Sequence, residues 1–294
     1  LAGSAIFIPI VKRILSPAKI NVGLRVSPKR SDGFHSLQTI FFKISLYDEI
    51  LIEEADQLSL SCSDPTLPTN ENNLILKAYQ RYYSDHSHPP VFKIQLEKKI
   101  PFGAGVGGGS SNAAEMLKYF HQKEQPGKPI GEKLMQTALE LGSDVPFFLY
   151  SSPCYAEGRG EILKPLEPVP SLPILLAGTG TSISTPEVFH LFDATNPIPL
   201  RSFPLSEVHG QLSARREAEL QNLVINDLQP VVESEWPEMC RVRELLQASG
   251  AHFVSMSGSG FLYYGIYPSV QIRDRALQSI GNQLPFVKPA WTIA

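Results

Sequence analysis

Apolar and polar residues alternate along the early part of the chain, and further on they recur at helical spacing, so both kinds of element are predicted within the first half. Ile20 to Val26, Leu46 to Glu53 and Val91 to Leu96 carry alternating or β-branched apolar residues and read as strands. The opening residues through Arg13 read as a further strand ahead of them. Asn73 to Tyr83 places Leu74, Ala78 and Tyr82 on one side of a helix. After PFGAGVGGGSS, the apolar residues Ala113, Met116, Leu117 and Phe120 predict a buried helix, with Asn112 and Glu115 as its N-terminal capping pair. A second helix carries Ile130, Leu134, Ala138 and Leu141 and stops at Gly142; Val145 to Tyr150 then forms a buried segment. Later, Ile174 to Ala177 and Phe261 to Tyr267 read as strands, and Trp236 to Ser249 as an amphipathic helix ended by Gly250.

Four prolines between Lys164 and Pro173 forbid either regular element there. The 294 residues, 43% of them hydrophobic, suffice for two α+β domains with a cleft between them, divided as 1–163 and 164–294. Twenty-six Lys plus Arg against twenty-nine Asp plus Glu give a charge of -3, which offers no broad basic surface for a nucleic-acid backbone. Cys62, Cys154 and Cys240 lie far apart with no metal-ligand spacing and leave at least one thiol unpaired, which suits a reducing cytoplasm. No apolar run approaches the roughly 20 residues that span a bilayer, and Pro9, Lys12 and Arg13 interrupt what a secretory leader would need.

Chemistry concentrates at residues 103 to 111, where five glycines in seven positions give up side-chain packing for close backbone approach. Their amides, with those of the following helix, can converge on a phosphate, and Ser110 and Ser111 add hydroxyls. The P-loop pattern GxxxxGKS/T fails, because no Lys follows the glycines. Gly103, Gly105 and Gly108 satisfy GxGxxG, yet Lys98 to Phe102 separate them from the preceding strand, and no second strand ends in an acid about 20 residues on; a dinucleotide site is weakly supported.

By Pro101 to Ser111 the chain resembles the GHMP kinase superfamily, with Val106 where Leu is usual. Four further segments, Ser16 to Leu24, Arg30 to Thr39, Leu141 to Phe148 and Ser255 to Gly260, are similar to the branch of that superfamily that phosphorylates the 2-hydroxyl of a cytidylyl diphosphate alcohol on the non-mevalonate route to isoprenoid precursors. The resemblance implies a two-domain GHMP kinase fold, with ATP held by Pro101, Gly103, Gly105, Gly107, Gly108, Gly109, Ser110 and Ser111 and with Asn73 near the adenine. It implies Asp144 as catalytic base with Lys19 beside it, and Asn21, Phe34, His35, Thr185 and Phe189 around the cytidylyl substrate. Phe34 stands where Tyr is common, which keeps stacking and loses a hydroxyl.

On residue chemistry alone, other roles stay open. Asp144 ahead of Val145-Pro146 is as readily a helix cap, Asn73 likewise, Lys19 a solvated cation and His35 a turn histidine. Mg2+ is expected with ATP, although no metal-ligand cluster is visible and the ligands are unknown. Kinases of the homoserine or mevalonate type are the nearest alternative, and a non-catalytic nucleotide- or RNA-binding module is the alternative of another class.

Overall fold

The computed structural model describes residues 11–181 and 183–293. The strand expected in the opening residues falls mostly outside these; the first described strand, β1 (Lys12–Lys29), instead runs through the segment expected to begin at Ile20. It pairs antiparallel with β2 (His35–Glu54), which is two residues longer. Both exceed the expected strands because irregularities in register absorb the residues that should have ended them. One shift falls between Pro17 and Ala18, and another spans Val22 to Arg25, where Gly23 has φ 71°.

From β2 the sheet continues in two directions. On one side lie β4 (Phe92–Glu97) and then β3 (Ser59–Cys62), the latter parallel to its neighbour. The antiparallel strands β5 (Cys154–Glu157) and β6 (Ile162–Pro165) also attach to β2, through β5. On the other side, β10 (Phe286–Ile293) pairs its last two residues with Ile44 and Lys43 of β2, and its earlier residues with β7 (Pro173–Gly178). Beyond β7 come β9 (Leu262–Ile266) and β8 (Phe253–Met256). The C-terminal strand thus joins the two halves of the chain in one sheet, a non-local closure invisible to local periodicity.

Helices α1 (Leu74–Tyr82), α2 (Gly108–Glu124), α3 (Glu132–Leu141) and α4 (Val145–Leu149) share a core with β2 and β4. Phe120 of α2 is fully buried against Phe92, ring centres 5.7 Å apart. The expected N-terminal cap of α2 is corrected. The helix begins at Gly108, with Gly107 as its cap residue at φ 70°, because the glycine run itself turns helical. Asn112 therefore sits inside the helix, buried, and Glu115 pairs with Lys118 at 2.7 Å.

The second core is built on β7 to β10 with α5 (Thr185–Ala194), α6 (Leu205–Ser213), α7 (Leu220–Leu223), α8 (Gln229–Glu235), α9 (Glu238–Ala248) and α10 (Val270–Ile280). It also takes in Ala18, Ile20 and Val22 of β1, so that strand is shared by both halves. The helix expected over Trp236 to Ser249 starts at Glu238, because Pro237 stands at its cap position and Trp236 closes α8. Cys62, Cys154 and Cys240 all carry free thiols, and burial pushes that of Cys154 up to about 12.

Candidate active site

The phosphate-loop candidate is held from both ends. At its start, the fully buried Asp48 carboxylate accepts from the Lys99 and Ile100 amides at 2.8 and 2.9 Å and pairs with Lys98. Its other oxygen also accepts from Asn112 at 3.0 Å, and Asn112 donates to Ser16 at 2.9 Å. One carboxylate therefore ties the residues before the loop to the helix after it. Farther along, Ala104 and Val106 are buried and the Val106 carbonyl accepts from the Lys19 amide at 2.9 Å.

Gly103, Gly105 and Gly107 have φ between 70° and 75°, a left-handed backbone that a side chain would strain. A Cβ on Gly105 would stand 2.3 Å from the Ser257 carbonyl, so glycine is also required there for the approach of the 257–260 turn. The first intrahelical bond of α2 runs from the Ser111 amide to the Gly107 carbonyl at 2.9 Å. The amides of Gly108, Gly109 and Ser110 are therefore left without helical partners at the positive end of α2, the arrangement that receives an anion. Ser110 is half-buried, whereas Ser111 is fully buried and accepts from the Ser16 hydroxyl at 2.8 Å. Asn73 caps α1, accepting from the Ile75 amide at 3.0 Å. The neighbouring Leu74 would lie 3.4 Å from a Cβ on Gly109, which sets this cap beside the glycine run.

Lys19 and Asp144 come together. Lys19 Nζ lies 3.3 Å from Asp144 Oδ2 and donates to Asn21 Oδ1 at 2.7 Å, with the Phe41 ring centre 4.7 Å away. Lys19 is buried, whereas the Asp144 side chain is 32% exposed and so open to a ligand. Asp144 occupies the cap position of α4, but its side chain makes no capping hydrogen bond. The carboxylate is turned to the lysine instead. Asn21 is fixed in turn by Thr39, to which it donates at 3.2 Å, and through its amide by the Ser257 hydroxyl at 3.3 Å.

A cleft of about 540 Å³ extends from this pair, with Gly105, Gly107 and Ser259 on one wall and His35, Phe34 and Phe189 on another. The β1–β2 hairpin turn carries Phe34 and His35 over the cleft. His35 Nδ1 lies 2.9 Å from the Ser27 carbonyl, an acceptor only, so this nitrogen carries the proton. The His35 ring stacks on Phe189 with centres 4.8 Å apart, while Phe34 is 51% exposed with the Arg159 guanidinium 4.7 Å from its ring. Thr185 opens α5 and shares a hydrogen bond with Ser259 at 2.8 Å.

Several residues of this region escaped the sequence reading. Asp48 had only the local signal of an acid beside Glu49 in the strand segment Leu46 to Glu53. Asn226, which donates to the Met256 and Gly258 carbonyls and so shapes the 257–260 turn, had none. Nor did Arg159, or Asp193, which lies 3.6 Å from His35 Nε2 and 3.7 Å from Lys29.

Residues 73–152 match the model of the GHMP kinases N terminal domain. The chain is similar to the 4-diphosphocytidyl-2-C-methyl-D-erythritol kinase of Salinibacter ruber, at 39% identity over 90% of this chain and 93% of that one. Similarity to the same kinase of Chlorobium phaeobacteroides is 36% identity over 91% and 93%. A crystal structure of 4-(cytidine 5'-diphospho)-2C-methyl-D-erythritol kinase superposes with a TM-score of 0.82 at 32% identity, covering 96% of this chain and all of that one. A homoserine kinase from Cytophaga hutchinsonii superposes with a TM-score of 0.72 at 17% identity, which speaks for the fold alone.

Proposed function

The chain belongs to the 4-diphosphocytidyl-2-C-methyl-D-erythritol kinase family, and from that premise we propose how its cleft phosphorylates the 2-hydroxyl of that cytidylyl alcohol with ATP. Phosphoryl transfer needs an in-line hydroxyl, an acceptor for its proton and fixed positive charge at the moving oxygens. The Asp144 carboxylate takes the hydroxyl proton. Lys19, held by Asn21, orients that carboxylate and places its ammonium beside the oxygens on which charge develops. The free amides of Gly108, Gly109 and Ser110 receive ATP phosphate oxygens, with the Pro101–Ser111 segment forming the wall. Asn73 lies on the adenine side.

At the other end, Phe34 and Phe189 face the cytosine and His35 meets its edge. With Nδ1 committed to Ser27, His35 presents Nε2 to the base edge. Thr185 and Asn21 add polar contacts. Among the described residues no three carboxylates, histidines or cysteines form a metal cluster. Mg2+ bound with ATP would neutralise phosphate charge, and the Ser110 hydroxyl is the protein group that would contact it. The division at 163/164, although it falls within β6, and a cytoplasmic setting belong to the proposal; three free thiols support the latter, and no helix among the described residues is long and apolar enough to cross a membrane.

The Lys19–Asp144 pair on the cleft floor carries this assignment. ADP release measured with ATP alone, with the cytidylyl alcohol, and with homoserine or mevalonate tests it. Release should depend on the cytidylyl alcohol; equal stimulation by another alcohol would refute the substrate, and no stimulation by any would refute the reaction.

A further inference from the structure

Lys43 is a buried cation that the chemistry above leaves without a task. It is paired directly with Lys19 across the β1–β2 ladder, so both side chains leave the same face of the sheet. Lys19 reaches the residue before α4, while Lys43 reaches the other end of that helix, donating to the Phe148 carbonyl at 3.2 Å and to the Tyr150 carbonyl. The Phe147 ring centre lies 5.9 Å from its ammonium. Two adjacent lysines thus grip both ends of the five-residue helix that Asp144 precedes.

We propose that Lys43 is a positioning residue for phosphoryl transfer, its ammonium fixing the C-terminal carbonyls of α4 so that Asp144 stays against Lys19 and the acceptor hydroxyl. This rests on Asp144 being the base. A helix of five residues has few bonds of its own to hold it, and charge-assisted bonds to its last carbonyls are the strong ones available.

The ammonium is also titratable. Burial is the main influence lowering Lys43, to about 8, with Lys118 acting the same way and Glu115 and Cys154 opposing. Glu115 and Lys118 face it from α2, paired to each other at 2.7 Å, while Cys154 faces it from β5, Lys19 from β1, and Tyr150 follows α4. Above pH 8 the folded protein loses the charge while the unfolded chain keeps it to about 10.4, so this group's contribution to stability rises with pH in that window. Positioning predicts the opposite for turnover, which should fall as the ammonium is lost.

The test compares kcat, both KM values and Tm from pH 6.5 to 10 for wild type, Lys43→Met, Lys43→Arg and Asp144→Asn. Wild-type kcat should decline through about pH 8. Lys43→Met should lose about 10- to 100-fold in kcat with both KM values within about twofold and Tm not lowered at pH 7. Lys43→Arg should recover most of that loss and carry it beyond pH 9, since a guanidinium stays charged. The inference is overturned if Lys43→Met keeps wild-type kcat, if its loss comes with raised KM values and lowered Tm, if arginine gives no recovery, or if the wild-type profile is flat across this range. Wild-type turnover in Asp144→Asn would instead remove the base itself, and this inference with it.

Discussion

Asp144 stands at the cap position of α4 yet gives its carboxylate to Lys19, 3.3 Å away, and caps nothing. A cap could be replaced by asparagine with little effect, whereas a base could not. Asp144→Asn should therefore lower kcat by about 10²- to 10⁴-fold while Tm stays near wild type. Steady-state kinetics beside a thermal melt decides it: unimpaired turnover assigns the proton elsewhere.

Gly109 offers a way to separate phosphate binding from folding. A Cβ there would touch only Leu74, at 3.4 Å, within a helix, where alanine is the more stable residue by roughly 0.5–1 kcal/mol. Gly109→Ala should keep or raise Tm while raising KM for ATP several-fold. An unchanged KM would mean that the phosphates do not pass over this amide. Gly105→Ala should differ, losing Tm and ATP binding together, because its Cβ would collide with the Ser257 carbonyl.

His35 is expected to govern the cytidylyl end alone. Removing its ring forfeits a stacked contact with Phe189 and one hydrogen-bonding edge, about 1.5–3 kcal/mol together. His35→Ala should raise KM for the cytidylyl alcohol by about 10- to 100-fold and leave KM for ATP within twofold. Equal changes in both constants would place the ring outside the base pocket.

Asp48 should matter for stability first. Asp48→Ala would strand the buried Lys98 ammonium and free the Lys99 and Ile100 amides, a loss of about 3–5 kcal/mol. Urea unfolding reads this directly, and an unchanged midpoint would show that the loop is anchored by its apolar residues instead. KM for ATP should rise in the same variant, since the glycine run loses its tether to α2.

The glycine run, the strand and helix periodicities, and the motif resemblances were legible in the chain because each depends on neighbours a few residues apart. Local backbone demands select glycine at 103, 105 and 107, and a run of them announces itself. Boundaries were less legible where the fold overrode local preference: β1 passes Pro17 by a shift of register, and α2 starts on glycines that alone disfavour helix. Local pattern was enough for the early strands, for the helices around the glycine run, for that run as the phosphate-loop candidate and for the family resemblance. Only tertiary structure decided which way Asp144 turns, that Asp48 joins both ends of the glycine run, that β10 closes the sheet onto β2, and that Lys19 and Lys43 hold one short helix between them. Those relations link residues far apart along the chain, and their energies arise only when burial removes water from charged groups; no pattern of adjacent residues encodes that.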